Sequence, residues 1–140
     1  MTRSSLVTVW LSVVLVAALV ATPFVARSQA QATTQTVRHV VVFKYKPEAT
    51  PAQIQQITDA IRKLAASMPG ILALEDGVNS SPENKNQGFT HIFLMTFKDA
   101  AARDAYLPHP DHVTFGQLLR SSGIFVDAFV VDYVPTSTKP

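Results

Sequence analysis

The 140-residue chain contains no cysteine, which excludes structural disulfides and lipid attachment at a cleavage-site cysteine. Stability must come from packing and assembly. Glycine is scarce, at five residues, and neither a glycine-rich phosphate loop nor a G-x-S-x-G nucleophile elbow is present. Negative charge is missing from a whole segment: residues 1–32 hold Arg3 and Arg27 but no Asp or Glu. The formal charge of +2 and the pI near 9.1 belong to that segment, because the other 108 residues balance ten basic against ten acidic side chains. A neutral domain argues against nucleic acid as a partner. With 47% apolar and 16% charged residues the chain is too hydrophobic for disorder, and its length points to one compact domain.

Residues 1–32 have the layout of a secretory signal peptide. Arg3 is the positive start, Leu6 to Ala21 is an uncharged run of sixteen residues, and Pro23 ends the helix. The run is short for a membrane-spanning helix. Small-x-small sites predict cleavage after Ala30 or Ala32, which makes the mature protein periplasmic or secreted, without stable membrane association. Residues 33–36 read as a disordered linker, residues 37–134 as the domain and residues 135–140 as a polar tail.

Val37 to Tyr45 reads as a strand with His39, Val41, Phe43 and Tyr45 on one face and Val40 and Val42 on the other. Thr50, Pro51 and Gln53 form a capping-box start for a helix whose Ile54, Ile57, Ile61, Leu64 and Met68 make one apolar stripe, stopped at Pro69-Gly70. Ile71 to Asn79 predicts a second strand bent near Gly77, followed by a polar loop to Gly88. Phe89 to Lys98 is the clearest strand, with Phe89, His91, Phe93, Met95 and Phe97 on one face and Ile92 and Leu94 on the other. Asp99 caps a short helix through Tyr106, which Pro108 and Pro110 break. Val113 to Arg120 predicts another helical piece, and Ile124 to Val134 a last strand. Lys44 and Lys46 near Arg38 read as a solvated basic strand edge, and Arg62-Lys63 and Arg103-Asp104 as exposed helix faces.

The order is β-α-β-β-α-β, an α+β ferredoxin-like arrangement with a four-stranded antiparallel sheet and helices on one side. Three strands are apolar on both faces, so the open face leaves an apolar patch of roughly several hundred Å² for a partner to cover. A homodimer through the sheet is the simplest way to bury it.

Four histidines and one tyrosine are the chemical candidates. His39 and His91 lie on the first and third strands, which are central neighbours in this topology, and this predicts two imidazoles close together. Tyr106 precedes His109 and His112 in a turn stiffened by two prolines. His109 reads as a turn residue bonding backbone, and as a ligand-binding candidate. A neutral imidazole serves as a general base, and a tyrosine hydroxyl orients a carbonyl oxygen. His109 and His112 at a spacing of three make no recognised zinc motif, and no haem-ligand motif or other cofactor signature is present.

The strand His39-Val40-Val41-Val42-Phe43-Lys44, the segment Gly88-Phe89-Thr90-His91 and the segment from Tyr106 to His109-Pro110-Asp111-His112 resemble the stress-responsive dimeric α+β barrel (Dabb) family. The resemblance covers about residues 37–134, and the Y-x-x-H-P-x-H segment is its most specific part. It implies a ferredoxin-like protomer that pairs through its sheet into a dimeric α+β barrel. It also implies a stress-associated protein that binds a small apolar or aromatic ligand. A plant polyketide cyclase of the family carries out an intramolecular aldol condensation. By that likeness Tyr106 and His112 are the catalytic pair, with His112 as general base on a ketone-like small molecule and Tyr106 as orienting or acid group. His39 and His91 match its other pocket histidines, and the expected pocket is lined by His39, His91, Tyr106 and His112.

Overall fold

The structure, a computed structural model, describes residues 35–137. The expected signal peptide lies outside the described residues, as do residues 33–34 and 138–140. Among the described residues no helix is long and apolar enough to cross a membrane.

The elements run β1 (Val37–Tyr45), α1 (Pro51–Ser67), β2 (Ile71–Val78), β3 (His91–Phe97), α2 (Ala100–Tyr106), α3 (Pro110–Ser121) and β4 (Phe125–Tyr133). The strands form one antiparallel sheet in the order β2-β3-β1-β4. This is the expected ferredoxin-like arrangement, with β1 and β3 at its centre. Lys44 therefore lies on an interior strand and not on an edge. Its ammonium donates to the Gln87 carbonyl oxygen at 2.9 Å and stands over the Phe89 ring.

Each helix begins where the sequence supplies a cap. The Thr50 hydroxyl accepts from the Gln53 amide, and the Gln53 side chain returns the bond to the Thr50 amide, so two orphan donors of α1 are satisfied reciprocally. Asp99 accepts from the Ala102 amide at 2.7 Å and starts α2. Pro110 does more than break a helix: it is the first residue of α3, where its missing N–H costs nothing, and His109 is the cap. The third helix thus starts three residues before the predicted Val113, and His112 sits in its first turn.

The core forms between the helices and the face of the sheet that carries Val37, Val41, Phe43, Phe93, Met95 and Phe97. Ile57, Ile61 and Leu64 of α1 close over it, as the apolar stripe required. Gly70 is needed where α2 crosses the start of β2, since a Cβ there would meet the Ala102 Cβ at 2.6 Å. Two details of the strands differ from the sequence reading. Gly77 stays in register opposite Ile92, and the irregularity lies between Ile71 and Ala73, where Leu72 is the extra residue. Phe89 precedes β3, so the alternation of that strand does not bind it, and its ring packs on Phe129.

The opposite face of the sheet presents Val40, Val42, Ile92, Leu94, Phe129 and Val131 side by side across β1, β3 and β4. No helix covers it. Phe129 remains 53% exposed and Val131 39% exposed.

Candidate functional site

A cavity of about 400 Å³ opens between the β1–β4 side of the sheet and helices α2 and α3. Its floor is His39, Val41 and Phe43 of β1 with Ala128 and Val130 of β4. Tyr106 closes one end, and His112, Phe115, Leu119 and Arg120 of α3 form the roof. Such a size suits a small ligand.

The backbone decides how His112 presents itself. Its Nδ1 lies 2.8 Å from the Leu107 carbonyl oxygen, which can only accept, so Nδ1 carries the proton and Nε2 holds the lone pair of the neutral ring. The Pro110 start of α3 sets this spacing, because it lets the first helical turn fold back over the end of α2. The Tyr106 and His112 rings are in contact, 4.3 Å between centroids and tilted by 39°. Tyr106 is buried, and burial raises its hydroxyl above the ordinary phenol range, so it remains a proton donor.

His39 is held by a partner that sequence reasoning missed. Asp132, on the neighbouring β4 position, accepts a hydrogen bond on Oδ1 from His39 Nδ1 at 2.6 Å, leaving Nε2 without a partner among the described residues. The second oxygen of Asp132 is hydrogen-bonded and ion-paired to Arg103, which also bonds Asp104. Partial burial pushes the Asp132 carboxyl up, but the hydrogen bonds from His39 and Arg103 outweigh it and hold the group below the usual carboxylate range. Arg103 is therefore a half-buried structural cation and not part of an exposed helix face. The available signal was a lone charge at the helix-facing phase of an otherwise apolar Val130-Val131-Asp132 strand. The His39 ring also meets the edges of Phe97 and Tyr106 at 6.0 Å.

The predicted meeting of His39 and His91 does not occur. They share a sheet face, but the antiparallel register sets His39 opposite Met95 and His91 opposite Phe43. Four strand positions, roughly 13 Å at 3.3 Å each, separate them. His91 instead packs on Tyr45, with ring centroids 5.0 Å apart, and bonds the Thr90 hydroxyl. Burial lowers its affinity for a proton. It is not on the wall of the His112 cavity. His109 is also elsewhere: its Nδ1 accepts from the Asp111 amide at 3.2 Å, the backbone bond expected of it, and it borders a separate recess between α2 and Gly70. Of the five candidates, the fold brings together His39, Tyr106 and His112.

The depressed carboxyl of Asp132 predicts an acid sensitivity. Its stabilising contribution is present above the unfolded-state value of about 4 and is lost as pH falls through the lower folded-state value. Asp132→Asn should cost about 1–2 kcal/mol at pH 7, with the gap to the parent protein narrowing below about pH 4. Urea unfolding at pH 7, 5 and 3 measures it. A gap of constant size would show that the charge of Asp132 contributes nothing.

The fold and site define a ferredoxin-like α+β protein with a histidine-tyrosine cavity. The chain belongs to the family described as Stress responsive A/B Barrel Domain (Dabb), which it matches over residues 37–135. It is 34% identical over 103 residues to the stress-response A/B barrel domain-containing protein HS1 of Arabidopsis thaliana, covering 74% of this chain and 93% of that protein. It is 32% identical over 99 residues to the olivetolic acid cyclase of Cannabis sativa, covering 71% and 96%. Among solved structures, the hydroxynitrile lyase of Passiflora edulis superposes with a TM-score of 0.66 at 26% identity, over 76% of this chain and 98% of that one. A dimeric ferredoxin-like protein of unknown function from Jannaschia superposes with a TM-score of 0.59 at 30% identity, over 70% and 97%.

Proposed function

We propose that the protein is a homodimer that binds a small apolar or aromatic ketone in the His39–Tyr106–His112 cavity and moves a proton on it, in the manner of a cyclase or lyase. The observation that carries this reading is the bond of His112 Nδ1 to the Leu107 carbonyl, which leaves the lone pair on Nε2 of a residue that lines a largely apolar cavity beside a protonated Tyr106. Nε2 would take an acidic α-proton, and the Tyr106 hydroxyl would donate to the carbonyl oxygen as it gains charge. His39, oriented by Asp132, would stand as a second hydrogen-bonding group at the floor. A cyclase and a lyase among the similar proteins support a reaction of this class.

The test is deuterium exchange into the methyl group of 2-acetylnaphthalene in D2O, followed by proton NMR. The protein should accelerate exchange well above buffer. Exchange at the buffer rate would remove the catalytic reading.

The same proposal places the protein outside the cytoplasm, supported by the leader of residues 1–32. The intact mass of the protein from its own host should correspond to a chain that begins at Gln31 or Thr33. A mass that retains Leu6 to Ala21 would contradict export with cleavage.

A further inference from the structure

We infer that Arg120 makes this cavity selective for ligands that carry a carboxylate, the apolar part lying on Val41, Phe43 and Phe115 and the acid group meeting the guanidinium at the rim. The inference rests on the cavity reading proposed above and names the class of ligand it takes.

Three observations lead to it. The first is charge. Asp132, the carboxylate beside His39, has one oxygen on His39 and the other on Arg103. No carboxylate of the described residues lies within ion-pair distance of Arg120. The cavity wall therefore includes an exposed guanidinium without an ion-pair partner among the described residues.

The second is placement. His112, Gly116 and Arg120 follow one another at intervals of four on α3, so they lie along one face of the helix. Long helical side chains lean toward the N-terminus. Arg120 does so over Gly116, where a Cβ would come within 3.3 Å of one guanidinium nitrogen and 3.5 Å of the other. The guanidinium is thus laid back along the helix toward His112 and the cavity, and away from the C-terminal end of α3.

The third is the glycine itself. A glycine in a helix interior is unfavourable compared with alanine. Gly116 has no positive φ to justify it, and the space it leaves is occupied by the Arg120 side chain. A planar guanidinium suits a carboxylate, which it can bind through two parallel N–H donors. The remaining wall is mostly apolar, so a ligand with a hydrocarbon or aromatic body and one acid group matches both parts.

The probes are 2-naphthoate and 2-naphthalenemethanol, which share the aromatic body and differ in charge. Their affinities are measured by calorimetry on the parent protein, Arg120→Gln and Gly116→Ala. The preference for acid over alcohol should fall on the order of fivefold in Arg120→Gln, most of the change lying in acid binding. Gly116→Ala should raise the melting temperature by roughly a few degrees while lowering the preference less than Arg120→Gln does, because the added methyl shifts the guanidinium by only a few tenths of an ångström. A merely structural arginine would not separate those two effects. If both probes bind and Arg120→Gln leaves their ratio unchanged, the role of Arg120 is overturned and the cavity reading stands. If neither probe binds the parent protein, the cavity reading fails and this inference fails with it.

Discussion

Alanine in place of His112 is expected to lower the protein-catalysed exchange of 2-acetylnaphthalene by about 10²–10⁴-fold, the usual contribution of a positioned general base. The loss should be one of chemistry and not of folding. The His112 side chain gives its Nδ1 proton to the Leu107 carbonyl, and Leu107 is 45% exposed, so water can satisfy that oxygen when the ring is gone. Tyr106→Phe should cost less, about tenfold, because the ring that packs on Phe97 remains and only the hydroxyl is lost. Circular dichroism and the oligomeric state should match the parent protein in both variants. Exchange that survives in His112→Ala at the parent rate would remove His112 from the mechanism and direct attention to Nε2 of His39.

Aspartate in place of Phe129 should convert the proposed dimer into a folded monomer at micromolar concentration. Phe129 is half exposed, and its ring contact is Phe89 on the same open face. Around it lie Val40, Val42, Ile92, Leu94 and Val131, while Arg38 with Tyr133 and Lys44 with Asp127 stand toward the two ends of the strands. An apolar centre with a polar rim is the anatomy of an interface. An aromatic residue near the middle of such a patch contributes on the order of 2–4 kcal/mol, or roughly thirty- to a thousandfold in association. Burying a carboxylate there adds a desolvation penalty. Leu118→Asp, on the exposed outer surface of α3, is the control that should leave assembly intact. Sedimentation equilibrium distinguishes the cases. A parent protein that is already monomeric at micromolar concentration would contradict the sheet-burial argument directly.

Local chemistry was legible wherever short-range rules act. The Thr50–Gln53 box, the stripe from Ile54 to Met68 and the alternation of β1 and β3 all formed as their spacing required. The exceptions came where two local rules compete. Pro110 obeys both the rule that ends one helix and the rule that begins another, and only packing of α3 onto α1 selects the second. Phe89 carries the periodicity of β3 without being part of it, so the loop and the Phe129 ring decide its side.

By itself the sequence determined the βαββαβ order, the two-faced apolar strands and the presence of Tyr106 and His112 in one stiff turn. Each follows from residues within a few positions of one another. Only the tertiary structure decided which histidines meet. The antiparallel register carried His91 roughly 13 Å along the sheet from His39, while pairing of β1 with β4 brought Asp132 to His39 across 93 residues of chain. No local spacing encodes a contact at that distance. Strand registers and helix crossings set it, because they depend on the packing of the whole core.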